Sequence, residues 1–366
     1  MKYHLSNLPL LRVFHSFGVS SPSGRFGVVL LFLVACLVSC GEKEFYADEQ
    51  YRKECYIVSD DNNVFGQEYT YGENSTGYIS IYVSGSAPVD EDVTITLRQA
   101  DEYLKEYNQR VNGTAYANYV EALPADSYSL PNGWDAVVTP EDTYVKFPIV
   151  VDVNRLDPTK KYFLPLEIAR VSNYQYSATK NYVLFQIFMK NAYATTRGST
   201  YYQMYGNTVD LKENKGKWEE VRPGESPTAF NATKKMTPLS ENSVCILPGT
   251  LQSTDQSMTD TRGIRLIVTD EVWQCPILGD DGLPTGKTFP VNIVEIEPLN
   301  EGSGCVQVHT ATNGIDQDDE ENQLRSYYDP ATKTFMLYYC YRMPTERSGS
   351  APLWHKVKEQ MTLLDY

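Results

Sequence analysis

Histidine is scarce, with four in 366 residues, and two of them, His4 and His15, fall within the first 39. That leaves His309 and His355, too few for a histidine-rich metal site. Each sits in a strand-like run beside apolar neighbours, where a structural or solvent-facing imidazole is the ordinary reading. The short catalytic motifs are missing as well: there is no G-x-S-x-G elbow, H-E-x-x-H helix, P-loop or G-x-G-x-x-G turn. Positive charge is in deficit, 32 Lys plus Arg against 47 Asp plus Glu. Lys2, Arg12 and Arg25 precede Cys40, so the remainder carries 29 against 47, a net charge of −18. Such a surface argues against a nucleic acid or an anionic lipid partner. Cysteine follows no zinc pattern. Beyond Cys36 and Cys40, the thiols of Cys55, Cys245, Cys275, Cys305 and Cys340 are scattered without C-x-x-C spacing. Buried thiols are expected, with one disulfide among the last four as the alternative. No cofactor is implied.

Only one long apolar run is present. Phe26 to Val38 carries no charge and follows Arg25, with Lys2 and Arg12 upstream, the layout of a signal peptide too short to span a bilayer comfortably. Leu37, Val38, Ser39 and Cys40 resemble the bacterial lipobox. Residues 1–39 are therefore read as a lipoprotein signal peptide and Cys40 as the lipidated first residue of the mature chain. Each buried methylene of an acyl chain contributes about 0.8 kcal/mol, so several chains on one cysteine anchor stably and the membrane contact is the lipid alone. Residues 40–49 form an acidic tether with Glu42, Glu44, Asp48 and Glu49, which resembles the surface-export signal of Bacteroidota lipoproteins and places the protein on the outer membrane facing outward.

Beyond the tether the chain is rich in β-branched and aromatic residues, with 28 tyrosines in the full sequence, and favours sheet over helix. Short alternating runs recur at Cys55 to Val58, Tyr78 to Val83, Val93 to Leu97, Tyr144 to Val153, Tyr162 to Ile168 and Val183 to Met189. In Tyr78 to Val83 one face is Tyr, Ser, Tyr and the other Ile, Ile, Val, a strand with one buried side. Only Gln99 to Asn108 reads as helix, with Ala100, Leu104 and Tyr107 on one face. Residues 50–190 thus read as a β-sandwich. Arg197, Gly198 and Ser199 mark a second start. Over residues 198–366, strands are expected at Tyr201 to Val209, Thr228 to Met236, Val244 to Pro248, Ile264 to Thr269, Val291 to Ile296, Cys305 to His309, Leu324 to Tyr328, Phe335 to Tyr341 and Lys356 to Leu363. An antiparallel β-barrel, lipocalin-like or jelly-roll, or a second sandwich, satisfies that meander. The fold class is all-β.

The order and spacing of Val93 to Thr96, Tyr107 and Asn108, Leu123 to Tyr128, Leu156 to Pro158, Tyr162, Leu164 to Leu166 and Ile168 resemble an Ig-like domain of unknown function. That domain stands at the N-terminus of Bacteroidota surface lipoproteins, including glycan-utilisation lipoproteins and proteins in which it precedes an endo-β-N-acetylglucosaminidase. The later half is similar, more loosely, to the C-terminal domain that accompanies it. The resemblance implies no catalytic residues and suggests glycan binding.

Chemistry selects the candidate site residues. Trp134, after the Pro131 to Gly133 turn, and Trp273, after Asp270 and Glu271 and before a long Gly279 to Gly286 loop, read as loop-borne aromatics beside carboxylates, suited to stacking a sugar and bonding its hydroxyls. Trp218 and Trp354, beside strand-like runs, read as core or barrel-end plugs. Asp316, Asp318 and Asp319, with Glu320 and Glu321, form an oxygen-rich loop without EF-hand spacing, a solvated charge cluster with a calcium site as the alternative. Glu295 and Glu297 share one strand face, the ordinary pattern of a solvated side. The leading expectation is a non-catalytic surface protein that binds a polysaccharide or oligosaccharide beside an outer-membrane importer complex. The alternatives are an adhesive component contacting protein partners through an edge strand and a glycoside hydrolase.

Overall fold

The computed structural model describes residues 51–73, 75–214, 217–252, 256–281, 283–310 and 325–364. Cys40, the 40–49 tether and Asp316, Asp318 and Asp319 lie outside these segments.

The first half folds into two packed sheets. One contains β1 (Glu54–Ile57), β3 (Thr76–Val83), β6 (Tyr128–Ser129), β8 (Tyr144–Val151) and β10 (Gln175–Tyr176), in the order β10-β1-β3-β8-β6. The other contains β2 (Val64–Thr70), β4 (Val93–Gln99), β7 (Asp135–Val138), β9 (Tyr162–Val171) and β11 (Tyr182–Lys190), ordered β2-β11-β9-β4-β7, with β5 (Glu121–Ala122) beside β9. Alternation decides which side chains meet. Ile79, Ile81 and Val83 are buried while Tyr78 is exposed, and they pack with Phe147, Ile149, Leu164, Leu166 and Phe185 between the sheets. Each buried side chain of this size contributes about 1.5–3 kcal/mol. On the outer face, the in-register trio Tyr56, Tyr82 and Tyr144 stacks across three strands.

The helix α1 spans Asp101–Asn112, starting and ending later than the expected 99–108. It lies on the outer side of the second sheet, where Leu104 packs with Phe163 and Leu184. The strand β2 was not anticipated, because Gly66 interrupts its apolar alternation. Glycine is needed there: a Cβ would run into the Phe188 ring.

The second half is one large antiparallel sheet that curls onto itself. Its strands are β12 (Thr200–Asn214), β13 (Lys217–Glu220), β14 (Thr228–Pro238), β15 (Ser243–Ile246), β16 (Ile264–Leu278), β17 (Pro284–Pro298), β18 (Gln307–Thr310), β19 (Tyr327–Asp329), β20 (Thr334–Arg342), β21 (Arg347–Ser348) and β22 (Ala351–Leu363); a short helix α2 (Gln256–Arg262) precedes β16. The ring runs β12-β14-β15-β16-β17-β19-β20-β22 and closes by pairing of β22 with β12. The barrel is therefore the alternative that forms. Eight strands leave an interior just wide enough for side chains, and Tyr202, Met204, Met236, Leu266, Val294, Tyr328, Phe335, Leu337, Val357 and Met361 fill it. Both cores lie within residues 55–361.

The segment between the halves is tied to both. The Asn191 side chain donates to the Ser240 and Ser243 carbonyls (2.7 and 3.0 Å) and accepts from the Tyr193 and Ala194 amides. Thr195 donates to Glu68 across 2.7 Å, and the Tyr193 ring packs edge-on against Tyr328.

Candidate functional site

A shallow pocket of about 390 Å³, polar and aromatic in its lining, lies on the first domain between Tyr107, Arg110 and Tyr182; with the lumen packed, the second domain's room for a ligand is on the outside of the barrel wall. Register places it there. On β12 and β22 the pairs Tyr202 with Leu363, Met204 with Met361 and Thr208 with Val357 share the inner face. The alternate positions therefore point outward. Three outward rows result. Asn207, Lys358 and Tyr338 form one, Val209, Lys356, Cys340 and His309 the next, and Leu211 with Trp354 the third.

The β12–β13 hairpin brings Trp218 over these rows. Its ring meets Trp354 edge-on at 4.8 Å and His309 edge-on at 5.9 Å, and His309 lies 4.7 Å from Trp354, so the three rings form one cluster. Leu211, Cys340 and Trp354 are consequently buried on the outer face, a second small core against the barrel wall. Beside it opens a groove of about 350 Å³ whose floor is Val209, Leu211 and Cys340, with Trp218 and Pro227 on one side and His309 and Thr310 on the other. Its polar lining is Asn207, Lys356, Lys358, Tyr338 and Glu220. An apolar, aromatic cleft with a few polar groups at its margins is the usual form of a small-molecule site.

The electrostatics are set by burial and by cations. Burial holds the His309 imidazole below its ordinary value, with the Arg342 charge acting in the same direction and Glu213 opposing. Desolvation raises the Tyr338 hydroxyl. The Arg342 guanidinium lies 5.4 Å from the centre of the Trp354 ring, and the Lys358 ammonium 5.4 Å from that of Tyr338. Trp354 Nε1, His309 Nδ1 and Arg342 Nε are buried without a hydrogen-bond partner among the described residues.

The residues singled out from sequence fall elsewhere. Trp273 is not on a loop: β16 continues to Leu278 with an irregularity between Val268 and Val272 that absorbs Asp270 and Glu271. The hairpin partner β17 begins at Pro284, so the long loop expected between Gly279 and Gly286 shrinks to a tight connection. The Trp273 ring is half-buried and meets Tyr327 edge-on at 5.9 Å. Glu271 pairs with Arg325 at 3.2 Å, and Asp270 lies near enough to Tyr193 to raise its hydroxyl. These carboxylates thus face other partners than the Trp273 ring. Trp134 is in the expected turn of the first domain, 38% exposed, while its neighbour Asp135 accepts from Thr96 at 2.6 Å within the sheet.

Trp354 is buried, in the small core on the outer face of the wall and not as a barrel-end plug, and Trp218 lines the groove. A local signal was available: Trp354, Lys356 and Lys358 alternate onto one strand face, an aromatic followed by two cations. His355 points to the opposite side, with Asp210 at 2.9 Å from Nδ1 and Glu346 at 3.0 Å from Nε2. Glu295 and Glu297 are exposed, and Glu297 pairs with Arg265 at 3.0 Å. Among the described residues no three of His, Cys, Asp and Glu converge as metal ligands.

An Ig-like sandwich followed by a filled eight-stranded barrel with an outer-face groove defines a class of two-domain, all-β proteins. The "-like, N-terminal domain" family model matches residues 51–175 and the "-like, C-terminal" family model matches residues 181–362, and the chain belongs to the two-domain family these models describe. Solved structures share the architecture. A protein of unknown function from Bacteroides ovatus aligns at 13% identity and a TM-score of 0.52, covering 89% of this chain and 94% of that one. A second such protein from the same organism aligns at 16% and 0.51, covering 85% and 94%. An auxiliary nutrient binding protein from Bacteroides thetaiotaomicron aligns at 15% and 0.48, covering 82% and 90%. The two matches with TM-scores above 0.5 show a shared fold and nothing more. No curated protein matches the chain.

Proposed function

We propose that this protein is a non-catalytic glycan-binding lipoprotein, held through Cys40 to the outer membrane with its domains facing outward, which retains a saccharide beside an importer. The groove on the barrel wall carries this reading. Trp218 and the polar residues Asn207, Tyr338 and Lys358 line it together, an aromatic ring suited to the apolar side of a pyranose beside groups that bond hydroxyls. The first domain acts as a spacer between anchor and barrel.

The test is affinity electrophoresis of the chain from Glu42 onward, which retains both cores, against a panel of polysaccharides. Retardation by at least one glycan is expected, lost in Trp218→Ala and retained in Trp273→Ala, whose ring packs on Tyr327 away from the groove lining. No retardation by any glycan overturns the reading, and reducing-sugar release from the panel overturns its non-catalytic part. For the anchor, Cys40→Ser is expected to move the full-length protein from the membrane to the soluble fraction.

A further inference from the structure

Most of the polar side chains at the N-terminal end of α1 already have partners. Arg98 pairs with Glu102 at 2.6 Å and with Glu167, and Glu167 also accepts from the Tyr103 hydroxyl at 2.9 Å and the Asn181 amide at 3.2 Å. Further along the helix the situation changes. Glu106, Gln109 and Arg110 make no side-chain hydrogen bond or ion pair among the described residues, although Glu106 and Arg110 stand at the i,i+4 spacing where such a pair readily forms. All three line the crevice of about 390 Å³ between α1 and β11.

The rings beside them are held in place. Tyr103 of α1 and Tyr182 of β11 stack with 3.8 Å between centres and 4° between planes, and the bond to Glu167 pins the first of them. Tyr107, one helical turn on, leans on the buried Phe163 at 5.2 Å, and the Arg110 guanidinium lies 6.0 Å from the centre of its ring. Helical spacing explains the grouping: positions 103, 106, 107 and 110 share one side of α1, while Leu104 and Asn108 are buried. Rings that are already packed lose little entropy when a ligand settles on them. A pyranose needs this combination, because its C–H face meets aromatic carbon while each hydroxyl both donates and accepts. Glu106 supplies acceptors, Arg110 a fork of donors and Gln109 both. One carboxylate against one guanidinium leaves the crevice without net charge, which favours neither an acidic nor an amino sugar.

Resting on the glycan-binding reading, we infer that this crevice is a second saccharide site, carried by the first domain, which takes a neutral sugar residue and adds to the hold of the groove on the barrel wall. The experiment measures retardation of the chain from Glu42 onward over a range of glycan concentrations, in gels holding neutral glucans, mannans or xylans and, separately, uronate polymers. Glu106→Ala/Arg110→Ala, at two exposed positions, should weaken the apparent affinity for at least one neutral glycan about threefold or more, since two sites engage at once in a gel filled with glycan. Lys105→Ala, exposed on the same helix but outside the crevice lining, should leave it unchanged. In the Trp218→Ala chain, where the groove is disabled, a millimolar oligosaccharide cut from the retained glycan should still slow hydrogen exchange within Asp101–Asn112, and should not once Glu106 and Arg110 are replaced as well. Retardation unchanged in Glu106→Ala/Arg110→Ala, or weakened equally in Lys105→Ala, overturns this inference and leaves the glycan-binding reading standing. An effect confined to uronate polymers overturns the assignment to a neutral sugar. Absence of retardation of the unaltered chain by any glycan overturns both readings.

Discussion

Lys234 on β14 and Glu359 on β22 meet inside the barrel, 2.8 Å between Nζ and Oε2, with side-chain exposures of 3% and 0%. The other carboxylate oxygen accepts from the Tyr339 hydroxyl at 2.8 Å, and that hydroxyl in turn accepts from the Gly249 amide at 2.9 Å. Burial pulls the Lys234 amine below its ordinary value and the carboxylate opposes the shift. A pair this dry is held by its geometry, because desolvation offsets much of the attraction.

Lys234→Met is therefore expected to destabilise the second domain by about 3–5 kcal/mol, since it strands Glu359 in an apolar interior. Lys234→Met/Glu359→Leu should recover most of that loss. Urea unfolding of both variants checks the coupling; a double variant no more stable than the single one would contradict it.

Asn108 performs a different kind of pairing. On α1, its side chain accepts from the Val120 amide and donates to the Val120 carbonyl, both at 2.9 Å, completing a backbone segment that has no strand partner at that point. Asn108→Ala should cost about 2–6 kcal/mol, because two buried backbone groups lose their partners at about 1–3 kcal/mol each. Asn108→Asp, which cannot donate to the carbonyl, should also destabilise at neutral pH. Hydrogen exchange at the Val120 amide is the direct measurement, with protection falling in both variants.

None of the five described cysteines is in a disulfide, and all but Cys305 are buried. Burial pushes Cys55 up to about 11 and Cys245 up to about 12, so their thiolate fraction near pH 8 is negligible. Iodoacetamide on the folded chain from Glu42 onward should give one adduct, on Cys305, and five after unfolding in guanidinium. Intact mass distinguishes these results, and native labelling of Cys245 would show that the barrel opens near α2.

These features differ in how much of them could be seen in the chain itself. Where a strand buries one face, alternation reveals it: Tyr78 to Val83 reads the same in sequence and in structure. The helix was visible for the same reason, through Leu104. Trp273 was misplaced because Asp270 and Glu271 look like a turn, whereas the hairpin carries them as an irregularity and continues for several residues. The groove was hidden for a deeper reason. Its lining joins Val209, Lys356, Cys340 and His309, which come from four strands and become neighbours only through barrel closure and register. Lys234 was equally obscure, since a lysine in a strand suggests solvent until a partner such as Glu359 is known.

His309 links the groove to pH. Its imidazole is held below the ordinary value of 6.5, chiefly by burial and further by Arg342, so the unfolded chain binds a proton more readily than the folded one. Stability from this group is fully present above about pH 6.5 and declines as pH falls through the folded-state value. Melting curves collected at pH 7 and pH 5 should show a smaller acid-induced drop in Tm for His309→Gln than for the unaltered protein, because the variant no longer takes up that proton on unfolding. An identical acid-induced drop with and without the His309 imidazole would mean that its protonation is not linked to folding.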